Sequence, residues 1–405
     1  MLKSKTVKVL ALGMLLLVTG CWDKDELNEL GIALALGIDM QGDLYKVSAQ
    51  VVLPTEIASK SRSGGNGNAV TVYDATAPTL YEAIRKLIET SPRVLYIPQL
   101  RVVVLGEDYA RRGISNMVET LMRDVFARTD YFVVVAKGAK AEDILQVSTP
   151  LERIPANQVY SSLLASSKTW APTSTVTIDE LMKRLVTEGV EAVLTGIQIV
   201  RSTPPAGDDE NNNLEPIKPR TELRVSSLAV FDNDRLIGWL NEEESKGYNY
   251  IRDQVNQSFG HIAYGNGLVG VRILQSTTDV KAKIINGEPH IQIKVTNMNA
   301  IVEMGTTELS LRSREDYRRI EQECSDSVVH ILQNTCDVLQ HKFKVDIFGF
   351  GSLIHQTHPK VWKTLKQDWS KTFSGLKIDL SADVHVKRVG QLGDNYLKQM
   401  RENTK

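Results

Sequence analysis

The sequence predicts a mixed α/β protein, α+β in its arrangement, in which three domains each pack a mixed or antiparallel sheet with helices. Three observations predict it. Short β-branched runs alternate with segments whose apolar residues recur at i, i+3, i+4, i+7 and i+8, the buried stripe of an amphipathic helix. Near the end, two long strand-like runs meet at Asn286-Gly287 and lead into a long helical pattern. The chain has 405 residues, 42% hydrophobic and 24% charged, enough for two or three cores at roughly 100–200 residues per domain. The expected division is a leader over 1–20, an N-terminal domain over 21–165, a middle domain over 166–266 and a C-terminal domain over 267–395.

The first element is a signal peptide. Lys3, Lys5 and Lys8 precede the apolar run Val9–Val18, which is too short for the roughly 20 residues that a spanning helix needs. Val18-Thr19-Gly20-Cys21 then follows the lipobox order of aliphatic, small, small, cysteine. A thiol is the nucleophile that takes up diacylglycerol, and small residues before it fit the protease that cuts there. Cys21 is therefore the expected lipidation site and the new N-terminus. Two or three acyl chains on one residue anchor stably, each buried CH₂ contributing about 0.8 kcal/mol. The partner expected at Cys21 is membrane lipid.

After the anchor, Gly31–Asp39 and Leu44–Leu53 read as strands joined by the turn Met40-Gln41-Gly42-Asp43. Ser59–Asn68 is small, polar and glycine-rich, a loop. The helical template then occurs at Leu80, Ala83, Ile84, Leu87 and Ile88, again from Ile114 to Met122, and again from Ile178 to Val186. Thr79 with Glu82 and Thr177 with Glu180 form capping boxes. Leu100–Leu105 and Tyr131–Ala136 are β-branched strands between the helices.

Strands Val193–Val200 and Leu223–Phe231 flank Thr203–Pro219, a proline-, asparagine- and acid-rich excursion, and Arg235–Leu240 adds a strand before a helix over Glu242–Gln254. The last third opens with strands Val269–Ala282 and His290–Met304. A helix capped by Ser313 follows, its apolar line running through Ile320, Cys324, Val328, Ile331 and Leu339 to about Lys342. A shorter helix after Pro359 carries Trp362, Leu365 and Trp369, and Leu376–Arg388 closes the unit as an edge or partner strand.

The chemistry-bearing patterns are sparse. Formal net charge is -1, and about -4 once the three leader lysines are removed, so there is no basic excess for nucleic acid. Cys324 and Cys336 fall on one helix about 18 Å apart, beyond the roughly 7 Å that a disulfide spans, and are expected as buried free thiols. Gly265–Gly270 fits the dinucleotide fingerprint by letters, but a strand follows it where a helix is required. His341, His355 and His358 are the only histidine cluster, read as loop histidines in preference to a zinc site, because Pro359 breaks the helical spacing. Two glycines in Phe348-Gly349-Phe350-Gly351 allow a sharp turn while the rings enter the core. No nucleophile elbow, phosphate-binding loop or zinc-protease motif occurs. The expectation is a protein that is not an enzyme, with no catalytic residue, metal or cofactor.

Several blocks carry a resemblance. Trp22-Asp23-Lys24-Asp25-Glu26-Leu27 directly after Cys21, then Gly31–Asp39, Val104–Gly113, Leu228–Leu240, Asp346–Gly351, Trp362–Trp369 and Val384–Gly390 stand in order along almost the whole mature chain. Together they resemble the Ger(x)C family of spore germination lipoproteins, the C subunits of nutrient germinant receptors. The resemblance implies a three-domain mixed α/β protein, lipid-anchored on the outer face of the spore inner membrane or the cell membrane. Its implied partners are the receptor A and B subunits, and its implied role is nutrient-triggered germination. Only Cys21 carries over as a site, and direct binding of nutrient is left open. The alternative is a solute-binding lipoprotein of a transporter, which also uses a lipobox and α/β lobes.

Overall fold

The computed structural model describes residues 30–52, 69–123, 128–201, 219–306, 308–309 and 314–387. Cys21 with its lipobox, the block at 22–27, the loop at 59–68, the excursion at 203–218, Ser313 and positions 388–390 lie outside the described residues.

The first sheet has nine strands, and its central ones are the β-branched runs. Its members are β1 (Leu30–Gln41), β2 (Leu44–Val52), β3 (Val70–Ala77), β4 (Val94–Tyr96), β5 (Val102–Gly106), β6 (Phe132–Ala136), β7 (Val193–Arg201), β8 (Thr221–Asp232) and β9 (Arg235–Trp239). Their order is β3-β2-β1-β5-β6-β7-β8-β9, with β4 paired to the start of β1. The middle four run parallel, and antiparallel hairpins flank them on both sides. All five residues of β5 and of β6 are buried, as a parallel strand covered on both faces must be.

Helices supply the cover. On one face lie α1 (Leu80–Lys86), α2 (Glu107–Arg112), α3 (Ser115–Arg123) and, after the others in sequence, α6 (Ile178–Val186), burying Leu80, Ala83, Met117, Leu121, Ile178 and Leu181 in one core. The opposite face is covered by α4 (Ala141–Leu145) and α5 (Pro155–Thr169) through Ile144, Leu145, Val159 and Leu163. The reciprocal capping box at Thr177 and Glu180 is present, whereas at Thr79 only the hydroxyl takes the Glu82 N–H.

The second sheet has four strands in the order β10 (Ser258–Tyr264), β11 (Gly267–Ile285), β12 (Glu288–Met304) and β13 (Lys377–Lys387). Asn286 and Gly287, both at positive φ (53° and 84°), make the two-residue turn between β11 and β12. Gly265 and Asn266 turn between β10 and β11, so the glycines read against the dinucleotide fingerprint do enter a strand. β13 pairs parallel to β12 as the sheet's edge. Between sheets one and two in sequence lies α7 (Glu242–Ile251), and α8 (Arg314–Asp337) ends in a π-helical turn, Val338–Phe343, stopped by Lys344 at φ 60°. Three short helices follow, α9 (Phe350–Thr357), α10 (Pro359–Leu365) and α11 (Trp369–Ser374).

The observed sheets number two among the described residues. The expected boundary at 165/166 falls inside α5, and β6 before it pairs with β7 after it, so the first two expected units share one sheet. The boundary at 266/267 falls in the β10–β11 turn, which puts β10 with the C-terminal sheet. One core runs across both sheets: Val193, Leu228 and Val230 of the first pack with Tyr248 of α7 and with Ile291, Ile293 and Val295 of β12.

Candidate functional site

Two places in the described residues concentrate buried polar chemistry, a junction around Asp346 and a groove beside β12. The junction forms because the π-helical turn stops at Lys344 and the chain must reverse into α9. Asp346 is 3% exposed, and its carboxylate accepts from the backbone N–H groups of Gly349 (2.9 Å) and Gly351 (2.8 Å) and from the indole N–H of Trp369 (3.2 Å). Burial pushes Asp346 up to about 6, against those donors, which pull it down. Its backbone carbonyl accepts from the Glu191 N–H at 2.8 Å, just before β7. Burial also pushes Glu191 up to about 7, with the neighbouring Asp232 and Asp346 adding to it.

Glycine is required where the two units touch. Gly189 stands at φ +78°, and a Cβ there would meet the Gly351 carbonyl carbon at 2.6 Å. Ser352 N–H donates to the Gly189 carbonyl at 3.1 Å, Trp362 Nε1 to Glu188 at 3.1 Å, and Arg252 to the Phe348 carbonyl at 2.8 Å. Phe348 stacks on Phe350, and tilted and edge-on ring contacts continue through Phe373 and Trp369 to Trp362, so the glycines and rings of Phe348–Gly351 do turn the chain into the core. The arrangement clamps the last third onto the first sheet.

The groove has a volume of about 580 Å³ and lies between α7, α8 and the second sheet. Its floor is β12, whose inward residues read Ile291, Ile293, Val295, Asn297 and Asn299. The stripe turns from apolar to amide halfway along. Asn297 is 1% and Asn299 2% exposed, and their amides are closed to solvent, Asn297 against the Tyr250 phenol and Asn299 against the Cys324 thiol. Tyr250 of α7 faces the same space, its phenol pushed up to about 12 by burial.

The mouth is aromatic. Trp170 and Phe259 stack with centroids 6.4 Å apart, and Lys246 Nζ sits 4.2 Å over the Trp170 ring. Of the charges nearby, Lys246 pairs with Glu242 at 2.9 Å, while the Glu243 carboxylate accepts from the neutral Asn334 amide at 3.2 Å. On the far wall, burial pushes the Cys324 thiol up to about 11, so it stays protonated at neutral pH. Cys324 and Cys336 are both free and buried, as the spacing on α8 requires.

Of the three histidines, His341 Nδ1 lies 3.0 Å from the Asp337 carbonyl, His355 stacks on Trp362 with centroids 5.7 Å apart, and His358 touches the Thr357 hydroxyl. Among the described residues no group of three or more His, Cys, Asp or Glu is placed to hold a metal ion, and no helix is long and apolar enough to cross a membrane. The groove was not singled out in sequence. Its one signal is the parity of Asn297 and Asn299 with the isoleucines before them.

Comparison with known proteins agrees along the chain. The family described as "Spore germination protein N-terminal domain" matches residues 23–199, and "Spore germination B3/ GerAC like, C-terminal" matches residues 226–390. Spore germination protein KC of Bacillus subtilis (strain 168) is 28% identical, the match covering 98% of each chain. Spore germination protein B3 of the same strain is 22% identical over 92% of this chain and 94% of its own. The crystal structure of the GerBC protein superposes with a TM-score of 0.52 at 18% identity, covering 91% of this chain and all of that one, which establishes a shared fold.

Proposed function

Because the chain belongs to the GerAC-like (Ger(x)C) family of spore germination proteins, which gives it a role in germination, we propose that it is the lipid-anchored C subunit of a nutrient germinant receptor. Acylation at Cys21 holds it on the outer face of the spore inner membrane, where it assembles with the receptor's A and B subunits. The observation that carries the reading is the match of both family halves, which begins two residues after the lipobox cysteine and runs to residue 390.

The alternative of a transporter's solute-binding lipoprotein calls for two similar doubly wound lobes. The two sheets here differ in strand number and topology, which favours the receptor reading.

The decisive experiment is genetic. Deleting the gene should abolish germination by one nutrient class, and Cys21→Ala should move the protein from the membrane fraction to the soluble one while impairing that response. Full germination of the deletion strain, in a background where no other receptor serves that nutrient, would sink the reading.

A further inference from the structure

We propose that the cleft between α6, the end of α7, α9 and β11 binds a small phosphomonoester, its dianionic phosphate held by the guanidinium groups of Arg184 and Arg252. This goes beyond the receptor role and does not depend on it.

The cleft has a volume of about 370 Å³, within the range of small-molecule pockets. Lys183, Arg184 and Arg252 line it, and no carboxylate does. Lys183 is held by Asp179 at 2.6 Å, but the two arginines pair with no acid among the described residues. Arg184 Nη1 donates to the Tyr248 hydroxyl and Arg252 Nη1 to the Phe348 carbonyl, both at 2.8 Å and both to neutral oxygens. The Tyr248 and Phe348 rings stack with centroids 6.3 Å apart, so the two guanidinium groups converge on one ring pair. The acids nearest in sequence are engaged elsewhere. Glu180 accepts from the Thr177 N–H, Glu188 from Trp362 and Lys366, and Asp253 from the Thr278 N–H. Asp346 is taken up by its own three N–H donors. Cations drawn partly out of water without a counterion destabilise the protein that carries them, and an anion in the cleft would offset both.

The chemistry of the occupant follows from the donors left over. Only Nη1 of each guanidinium is engaged, which leaves Nε and Nη2 as a fork. Arg252 is exposed, and the unengaged nitrogens of Arg184 are open to solvent, so a ligand can reach both. A phosphomonoester carries about −1.5 to −2 charge near pH 7, which balances two cations, whereas a carboxylate or a phosphodiester leaves one over. Its terminal oxygens can accept two forks at once, which suits arginine better than lysine. Ser352 also lines the cleft, its Oγ accepting from Gln356 at 3.4 Å and its O–H left to donate. Val190, Val280 and Leu353 wall the remaining space, giving room for a small organic group on the ester oxygen.

The test uses the full mature chain at fixed ionic strength, by calorimetry and thermal shift. The probes are glycerol 3-phosphate, phenyl phosphate and inorganic phosphate, with benzoate and phosphatidylglycerol vesicles as comparators. Saturable binding of at least one ester is expected, tighter than inorganic phosphate and at least about tenfold tighter than benzoate, with no binding to the vesicles. Arg184→Gln and Arg252→Gln should each weaken it by about tenfold or more, since glutamine keeps a donor and loses the charge. Arg184→Gln carries the test if the Arg252 variant does not fold. Arg85→Gln, on α1 over the β3 edge of the first sheet, should leave binding unchanged, which simple loss of one surface charge would not distinguish. No saturable binding of either ester would overturn the proposal, leaving the arginines as ties between helix ends. Esters no tighter than benzoate or inorganic phosphate, binding to the vesicles alone, or ester binding unchanged in the arginine variants that fold would overturn it as well.

Discussion

Glu191 and Asp346 meet where the loop before β7 touches the turn before α9, and their carboxyl groups respond to pH in the same direction. Glu191 is raised from 4.5 to about 7, so the folded protein binds more protons than the unfolded chain between those values. Stability therefore falls as pH rises through that window and levels off above it. Glu191→Gln keeps an acceptor for the Asn233 N–H and removes the charge. It should stabilise the protein at pH 8 by on the order of 1 kcal/mol, discounted because Glu191 is not fully out of water, with the gain gone near pH 4.5. Paired denaturant titrations at the two pH values check this. An equal effect at both would refute the assignment. Asp346 was legible in sequence only as part of a block. Its three donors lie within 23 residues, but nothing local says that the loop at 187–191 closes over them.

A sequence-distant cap organises α4. Its first two N–H groups, of Ala141 and Glu142, donate to Asp39 of β1 at 2.9 and 3.0 Å, and burial raises the Asp39 carboxyl against that pull. Gly106 makes room, since a Cβ there would stand 2.0 Å from Asp39 Oδ1. Asp39→Ala should cost about 1–2 kcal/mol and speed amide exchange over Ala141–Leu145, while the exchange of α3 stays unchanged. Uniform acceleration across both helices would argue against a local cap. Among the elements that sequence reading found, α1, α3, α6 and the β11–β12 hairpin stood out because their apolar pattern is periodic over many residues, and β5 and β6 because they are continuous β-branched runs. It missed α5, whose buried face uses the small residues Pro155 and Ala156 with Val159 and Leu163, too thin an apolar stripe to stand out. It missed β10 because glycine and histidine interrupt the alternation of Ser258–Tyr264.

Across the molecule, the pairing of β6 with β7 was the least legible feature. A parallel pair needs a crossover, and this one holds α4, α5 and α6, with the expected division at 165/166 falling inside it while the sheet is continuous. The shared core of Val193, Leu228 and Val230 with β12 has a testable result. Fragments 21–266 and 267–405, made separately, should each lack the near-ultraviolet signature of the intact chain, and the intact chain should melt in one transition. Two fragments that fold alone would show that the core is divisible. The position of β1 sets a different limit. Leu30 opens this strand nine residues after Cys21, and nine residues drawn straight reach about 30 Å at most. With an acyl group on Cys21, the body would hang within that leash of the headgroups by a strand from the middle of its largest sheet. Collisions would be confined to a film about as deep as the protein itself, so even a scarce membrane neighbour would be met at high effective concentration.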